Sequence, residues 1–186
     1  MSKKLVVLFP GIGYHNDKPL MYYTKKIANK AGHEIIEVSY DLSQDVASVK
    51  GDNEKRHLAL DKAFQQVKDK LKDIKFEQYE SVVFVGKSIG TTIMARYALE
   101  NKLDMDMIIF TPIPETFEYL GNCEGLLFHG SADPLCDTDM CVQLCEEMSI
   151  TYAIIPDANH SLETGEVETD IQNLTRIMTT IKGIIY

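Results

Sequence analysis

The chain is short of basic residues and has no long apolar run. It carries 19 lysine and arginine residues against 28 aspartate and glutamate residues, which gives a formal net charge of −9. An acidic surface repels nucleic acid and anionic membranes, so we expect neither as a partner. No apolar stretch approaches the roughly 18 residues that span a bilayer, and the first apolar run is too short for a secretory signal. We therefore expect a cytoplasmic protein.

The glycine-rich signatures of nucleotide binding are also missing. Residues 10–15 read Pro-Gly-Ile-Gly-Tyr-His, without the third glycine of G-x-G-x-x-G and without the Gly-Lys-Ser/Thr ending of a P-loop. Residues 86–88 do read Gly-Lys-Ser, but no glycine lies five residues before Gly86. The sequence therefore predicts no nucleotide cofactor, and we expect no other cofactor.

Cysteines are few, and their spacing matches no common metal motif. The chain has Cys123, Cys136, Cys141 and Cys145, with no C-x-x-C pair and no histidine pair nearby. Cys141 and Cys145 lie four residues apart on a predicted helix and so share one face. We interpret the four as buried free thiols in a reducing compartment and expect no bound metal. Metal ligation remains the alternative.

The order of apolar runs predicts the fold class. A length of 186 residues and a hydrophobic content of 45% suit one domain over residues 1–186. Short, continuous apolar runs predict strands at residues 4–9, 34–39, 81–86, 106–111, 125–130 and 151–156. Helical periodicity lies between most of them, at 20–31, at 54–74 and in a last helix that starts at Thr164 and stops at Gly183. Continuous apolar strands are covered on both faces, so we expect a three-layer α/β/α sandwich with a mainly parallel sheet. A polar loop is expected at 43–53.

The most informative motif is Gly-Lys-Ser-Ile-Gly at residues 86–90, directly after the apolar run 81–85. A strand, a tight turn and a helix in this order hold the serine in a strained conformation with its hydroxyl exposed. The flanking glycines are needed because the strand and helix backbones approach closely. The pattern therefore predicts that Ser88 is a nucleophile. The alternative is an ordinary turn serine that caps a helix.

Two later loops supply the partners that a nucleophilic serine needs, a base and a group that orients the base. Asp133 follows the strand at 125–130, and His160 follows the strand at 151–156. We predict that His160 is the base and Asp133 the orienting acid. Asp137 and Asp157 are nearby competitors for the acid. His129, at a strand end, is expected to support packing or a hydrogen bond.

These segments together resemble the α/β-hydrolase family, in which the order serine, acid, histidine is expected. The resemblance rests on the elbow 86–90, the acid segment 129–134, the histidine segment 157–162 and the first strand-loop 5–13. The chain is most similar to small, lidless members, such as dienelactone-hydrolase-like proteins and minimal bacterial esterases and lipases. Many members have His-Gly where this chain has Pro10-Gly11.

The resemblance implies a particular sheet and an open site. The six predicted strands would correspond to the third to eighth strands of the hydrolase sheet, in the spatial order 2-1-3-4-5-6, with the first two strands absent. Only residues 112–124 lie between the fourth and fifth strands, where larger members insert a cap domain. About a dozen residues cannot form a cap, so we expect none.

The tetrahedral intermediate of acyl transfer needs backbone donors, the oxyanion hole. The N–H of Ile89 follows the nucleophile at a helix start and should be one donor. The resemblance assigns the second to Ile12, with Gly13 as the fallback; otherwise the glycines of this loop only form a tight turn. We expect the side chain of Lys87 to point into solvent; the alternative is that it adds positive potential to the site. An apolar pocket is expected from Tyr14, Phe110, Pro112, Ile113, Leu135 and Leu162.

The predicted activity follows from this set of residues. We expect a serine hydrolase that cleaves carboxylic esters of small or medium acyl groups through an acyl-enzyme on Ser88. Its partner would be a small-molecule ester-type substrate, and the protein would be a monomer or a homodimer. The alternatives are a thioesterase, a lactone hydrolase of the dienelactone type, a small peptidase or amidase, an acyltransferase, and a non-catalytic binding module on the same fold.

Overall fold

The computed structural model describes residues 3–41, 53–121 and 124–186. Most of the predicted polar loop, residues 43–52, and Cys123 lie outside the described residues. The elements are, in chain order, β1 (Lys4–Phe9), α1 (Pro19–Lys30), β2 (Glu34–Glu37), α2 (Asn53–Leu71), β3 (Ser81–Lys87), α3 (Ile89–Asn101), β4 (Asp106–Phe110), β5 (Gly125–Gly130), α4 (Thr138–Glu147), β6 (Thr151–Ile155) and α5 (Val167–Ile185). Within these ranges, no helix is long and apolar enough to cross a bilayer.

The six strands form one sheet in the order β2-β1-β3-β4-β5-β6. Every neighbouring pair is parallel, so the predicted order is confirmed and the described sheet is wholly parallel. Parallel strands bring their carboxyl ends to one edge of a sheet. The loops that follow β3, β5 and β6 therefore meet at the same edge, although they are far apart in sequence.

Both faces of the sheet are buried, which explains why the strands are continuously apolar. Leu5, Val7 and Phe9 of β1 pack in one core cluster with side chains of α2, α3 and α4. Val6 and Leu8 alternate onto the opposite face and pack with α1 and α5. The predicted three-layer α/β/α sandwich is therefore confirmed.

The connection from β4 to β5 is short and packs against the fold. Its described residues, 111–121 and 124, contain only a single 3₁₀ turn, Pro114–Thr116. Phe117 and Leu120 from this segment are buried in the core. The expectation that no cap domain lies here is confirmed for this described part of the chain.

The predicted bounds of the last helix were wrong at both ends. The helix begins at Val167 and continues through Gly183 to Ile185. Thr164 lies before it, where its N–H and its hydroxyl both donate to Asp170 Oδ1, at 2.6 and 2.7 Å. Thr164 thus anchors the preceding loop to the first turns of the helix instead of starting it. Threonine is a common residue at helix starts, but here the helix begins three residues later, at Val167.

Gly90 and Gly183 provide a matched test of where the fold requires a missing side chain. A Cβ at Gly90 would lie 2.1 Å from Phe9 O and 2.6 Å from Pro10 O, both backbone atoms that cannot move aside. We expect Gly90→Ala to lower the free energy of unfolding by about 3 kcal/mol or more. Gly183 has open space around it. Gly183→Ala should raise the free energy of unfolding by about 0.5–1 kcal/mol, because alanine is the better helix former. Urea unfolding followed by circular dichroism measures both, and equal effects would contradict the packing.

Candidate active site

The turn between β3 and α3 holds Ser88 in an uncommon backbone conformation. Its φ and ψ are 56° and −125°, outside the regions that L-residues usually adopt. The surrounding structure maintains this strain, since Ser88 N donates to Phe110 O at 3.0 Å and Thr91 N donates to Ser88 O at 2.8 Å. Strain of this kind is concentrated at functional sites. The elbow predicted at residues 86–90 is therefore present, and Ser88 is half-buried at its tip.

The structure brings the three predicted catalytic residues together in one hydrogen-bonded chain. His160 Nε2 lies 2.7 Å from Ser88 Oγ. His160 Nδ1 lies 2.7 Å from Asp133 Oδ2. Both distances are within hydrogen-bond range, so a single imidazole contacts the hydroxyl and the carboxylate at once. This arrangement has the contacts that a nucleophile, its base and an orienting acid require.

Backbone hydrogen bonds hold the acid loop and the histidine loop against each other. Asp133 N donates to Gly130 O at 3.0 Å, and Ala132 N donates to Ala158 O at 2.9 Å. The hydroxyl of Thr111, at the end of β4, donates to His160 O at 3.0 Å. The imidazole is therefore positioned by two neighbouring strand ends as well as by its own loop.

The two competing aspartates lie elsewhere. Asp137 caps α4, where its Oδ1 accepts from Met140 N at 2.9 Å. Asp157 is exposed, with a φ of 57° in the turn after β6. His129 is buried and its Nε2 lies 3.0 Å from Thr138 Oγ1. None of these three residues forms a hydrogen bond with Ser88 in the described part of the chain, and His129 has the hydrogen bond that was expected of it.

The electrostatics of the site favour a neutral imidazole beside a charged carboxylate. Burial lowers the pKa of His160, and nearby Lys87 lowers it further, against the opposing effect of Asp133. Burial alone would raise the pKa of Asp133, but hydrogen bonds from His160 and from Leu135 N bring it below its usual value. An imidazole with a low pKa is available as a proton acceptor at neutral pH.

A tight turn that follows β1 lies directly against the elbow. Gly11 N donates to Tyr14 O at 3.0 Å, Tyr14 N donates to Gly11 O at 3.3 Å, and Gly13 has a φ of 73°. A Cβ on Gly11 would lie 3.2 Å from Ser88 Cβ. The turn is also held from behind, because the hydroxyl of Tyr40 donates to Pro10 O. Ile12 is therefore on a segment next to the candidate nucleophile.

The two N–H groups predicted to form an oxyanion hole have no acceptor within residues 3–41, 53–121 and 124–186. Ile12 lies in the turn described above, and its N–H makes no hydrogen bond there. Ile89 is the first residue of α3, so its N–H has no partner within the helix. Ile89 directly follows Ser88, and Ile12 follows Gly11, whose backbone lies against Ser88.

The expectation that Lys87 points into solvent was wrong. Its side chain is only 1% exposed, and its Nζ lies 4.9 Å from the centre of the Tyr14 ring. Burial lowers its pKa to about 7, against the opposing charges of Asp133 and Glu163. The alternation of side chains along β3 could have predicted this burial. Lys87 is the last residue of β3, and it follows Val83 and Val85 onto the face that packs against α1 and α5.

Lys87 should make the stability of the protein depend on pH. Below about pH 7 the lysine is charged in both the folded and the unfolded state, so the folded state bears the full cost of a buried charge. As the pH rises toward about 10.5, only the unfolded state keeps the proton, and this cost disappears. Lys87→Met should therefore raise the free energy of unfolding by a few kcal/mol, on the order of the shift, near pH 6. The gain should shrink toward zero near about pH 10.

Urea unfolding at several pH values measures the effect of Lys87→Met. Lys70→Met is the matched control, because Lys70 is exposed on α2. Its substitution should change stability little and equally at every pH. A Lys87→Met variant that behaves like this control would contradict a buried, perturbed lysine.

A cleft of about 190 Å³ lies beside the histidine loop, between α1 and α5. Of the predicted pocket residues, Tyr14 and Leu162 line it, together with Ser161 and Glu163. Phe110 does not, because its ring is fully buried and stacks on Phe128 in the core. Sequence reasoning missed Ser161 and Glu163, although their position directly after His160 was a usable signal.

Comparisons with known proteins identify the fold. No family profile matches the chain, and no curated protein does. Solved structures do match. Est1E from Butyrivibrio proteoclasticus is 14% identical with a TM-score of 0.68, over 98% of this chain and 86% of that one. The esterase Pf2001 from Pyrococcus furiosus is 14% identical with a TM-score of 0.65, over 100% and 84%. An α/β serine hydrolase without a lid from Xanthomonas campestris is 13% identical with a TM-score of 0.59, over 98% and 83%.

These similarities extend over 98–100% of this chain and 83–86% of the three solved structures. Identities this low support a shared fold and leave the activity to be argued from the site itself. The chain has the α/β-hydrolase fold, and residues 3–41, 53–121 and 124–186 contain neither the first two strands of that fold nor a lid.

Proposed function

We propose that this protein is a serine hydrolase that cleaves carboxylic esters of small or medium acyl groups. The observation that carries the proposal is the continuous chain of hydrogen bonds from Ser88 through His160 to Asp133, with both distances at 2.7 Å. It lies at the carboxyl edge of a parallel sheet, where ligands bind in open α/β folds. The three side chains already have the hydrogen bonds that a serine–histidine–aspartate triad uses in acyl transfer.

In the proposed reaction, Ser88 Oγ attacks the ester carbonyl carbon as His160 Nε2 takes the hydroxyl proton. The N–H groups of Ile89 and Ile12 stabilise the negative oxygen of the tetrahedral intermediate. His160 then gives the proton to the leaving alkoxide, which departs as the alcohol and leaves an acyl-enzyme. Water, activated by the same imidazole, releases the acid and restores Ser88. Asp133 keeps the imidazole in the reactive tautomer and stabilises its positive form.

The proposed preference for small or medium acyl groups assumes that the acyl chain enters the cleft lined by Ser161 and Leu162, directly after His160; the three triad residues do not themselves line it. Its volume is about 190 Å³, and most of its lining side chains are apolar. Glu163 and Asp170 also line it, so a negatively charged acyl chain would be repelled. Thioesters, lactones and amides pass through the same kind of intermediate, and the triad alone does not select among them.

A fluorophosphonate probe tests the proposal, because it labels only an activated serine. Wild-type protein should be labelled on the peptide that contains Ser88, and a panel of p-nitrophenyl esters, thioesters, lactones and peptide amides should then give its highest kcat/KM with short esters. Est1E has been solved with ferulic acid bound, so hydroxycinnamate esters belong in the panel. Folded protein that takes no label would instead favour the non-catalytic binding module.

A further inference from the structure

Three side chains with metal-binding atoms meet behind the acid loop, outside the hydrolase site. His129 is in β5, Cys136 is in the loop that carries Asp133, and Cys141 is in α4. One nitrogen of His129 and the two sulfurs all lie within 4.8 Å of one another. All three residues are buried, with 0, 2 and 0% of their surfaces exposed. Nothing in the proposed ester hydrolysis uses them.

The imidazole of His129 is held with one nitrogen unused. Its Nε2 lies 3.0 Å from Thr138 Oγ1, and that hydroxyl directs its own proton to Ser131 O at 3.4 Å. The hydroxyl therefore accepts from Nε2–H, which leaves a lone pair on Nδ1. Nδ1 is buried and has no hydrogen-bond partner, and Asp133 Oδ2 is 3.9 Å away, too far for a hydrogen bond. Buried polar atoms without a partner are rare and call for an explanation.

The hydrogen-bonding pattern of His129 matches that of histidines which bind metals. A ligating imidazole usually donates its other N–H to a nearby oxygen, which sets the tautomer and the ring orientation. Thr138 takes that position here. The orphaned Nδ1 is thus in the form, neutral and unprotonated, that a metal ion requires.

A fourth donor lies next to this group. Cys145 is one turn after Cys141 on α4 and is also fully buried, but its sulfur is outside the set of atoms that lie within 4.8 Å of one another. It must therefore turn toward His129 and Cys136 to become a ligand. Three thiols and one imidazole form the Cys₃His donor set of tetrahedral zinc sites. With metal–sulfur distances of about 2.3 Å and metal–nitrogen distances of about 2.0 Å, donor atoms lie roughly 3.5–3.8 Å apart. The atoms of His129, Cys136 and Cys141 lie within 4.8 Å of one another, so they must draw together by up to about 1 Å when an ion binds.

We propose that His129, Cys136 and Cys141 bind one thiophilic divalent cation of the zinc class, with Cys145 as the fourth ligand. Each ligating thiol gives up its proton to solvent when the ion binds. Because His129 and Cys136 lie on either side of residues 130–135, the ion clamps the loop that carries Asp133 to β5 and α4. Its place in the reaction is structural, and the ion does not contact the substrate.

Cobalt substitution tests this proposal with a readout that is independent of hydrolysis. Full-length protein, freed of metal with a chelator and kept reduced, is titrated with Co²⁺ and then with Zn²⁺. We expect one equivalent of Co²⁺ to bind, with thiolate-to-cobalt charge transfer in the near ultraviolet and the intense visible bands of tetrahedral coordination. Zn²⁺ should displace it, and the melting temperature should rise with the Zn²⁺ concentration. Folded protein that gives none of these signals overturns the proposal.

Two matched variants distinguish the site from adventitious binding. His129→Gln should weaken Zn²⁺ binding by more than about 100-fold. His33→Gln is its control, since His33 is also buried with an unpartnered Nδ1 but lies between α1 and β2. Its affinity should equal that of the wild type. Equal affinity of His129→Gln and the wild type would overturn the proposal, as would equal losses in the two variants.

X-ray absorption of the zinc-loaded wild type needs no substitution, so it decides the matter even if a core variant does not fold. We expect a first shell of sulfur with one nitrogen at the distances of tetrahedral zinc. A shell of oxygen and nitrogen alone would place the ion elsewhere and overturn the proposal. The thiols would then be packing residues of the core, as the sequence analysis expected.

Discussion

Ser88→Ala should lower kcat for ester hydrolysis by about 10⁵- to 10⁶-fold, the loss seen when a nucleophilic serine is removed from a triad. Among the described side chains, the hydroxyl of Ser88 forms a hydrogen bond only with His160 Nε2, at 2.7 Å. Its removal therefore takes away the proposed attacking atom and only one side-chain hydrogen bond. Steady-state kinetics with a p-nitrophenyl ester measures the loss, and circular dichroism measures whether the variant folds.

Ser149→Ala is the matched control for this substitution. Ser149 also has a positive φ, 57° against 56° at Ser88, but it lies in the turn between α4 and β6. Both variants therefore place alanine at a positive φ, and only Ser88→Ala removes a hydroxyl next to His160. Ser149→Ala should keep wild-type kcat. If Ser88→Ala also kept most of its activity, a serine mechanism at this elbow would be wrong.

Asp133→Asn should lower kcat by about 10⁴-fold through the wrong histidine tautomer. Asp133 Oδ1 accepts from Leu135 N at 2.9 Å, so the amide oxygen of asparagine must take that position. The amide NH₂ then faces His160 Nδ1 and donates to it. The imidazole is left with its proton on Nε2, where it can no longer accept the proton of Ser88. The effect should appear in kcat, measured with the same ester, while KM changes little.

Asp157→Asn is the control for the acid. Asp157 is exposed, and asparagine tolerates its φ of 57° well. Asp157→Asn should therefore keep kcat within a few-fold of the wild type, about the scatter of surface substitutions. A nearly unchanged Asp133→Asn beside an inactive Asp157→Asn would identify Asp157 as the acid and would contradict the geometry of the site.

Most of the architecture could be predicted because the relevant signals are local. The continuous apolar runs identified all six strands, and the parallel order follows from their alternation with helices. The elbow at Ser88 was predictable because a tight strand-to-helix turn needs glycine at residues 86 and 90. A Cβ at Gly90 would collide with Phe9 O. The glycine in the local sequence is therefore enough to indicate that the backbones approach closely there. Helix bounds were less certain, since Thr164 and Gly183 are capping residue types used here for other purposes.

The sequence by itself determined three things about this protein: the order of Ser88, Asp133 and His160 along the chain, the periodicity of the strands, and the acidic composition. Only the tertiary structure decided that Lys87 is buried beside Tyr14 and that His129 lies within reach of Cys136 and Cys141. The reason is physical. Periodicity reports which face of one element is apolar, but burial of a charged side chain and convergence of donor atoms depend on what other elements place against that face. Such contacts join residues that have no regular spacing in the sequence.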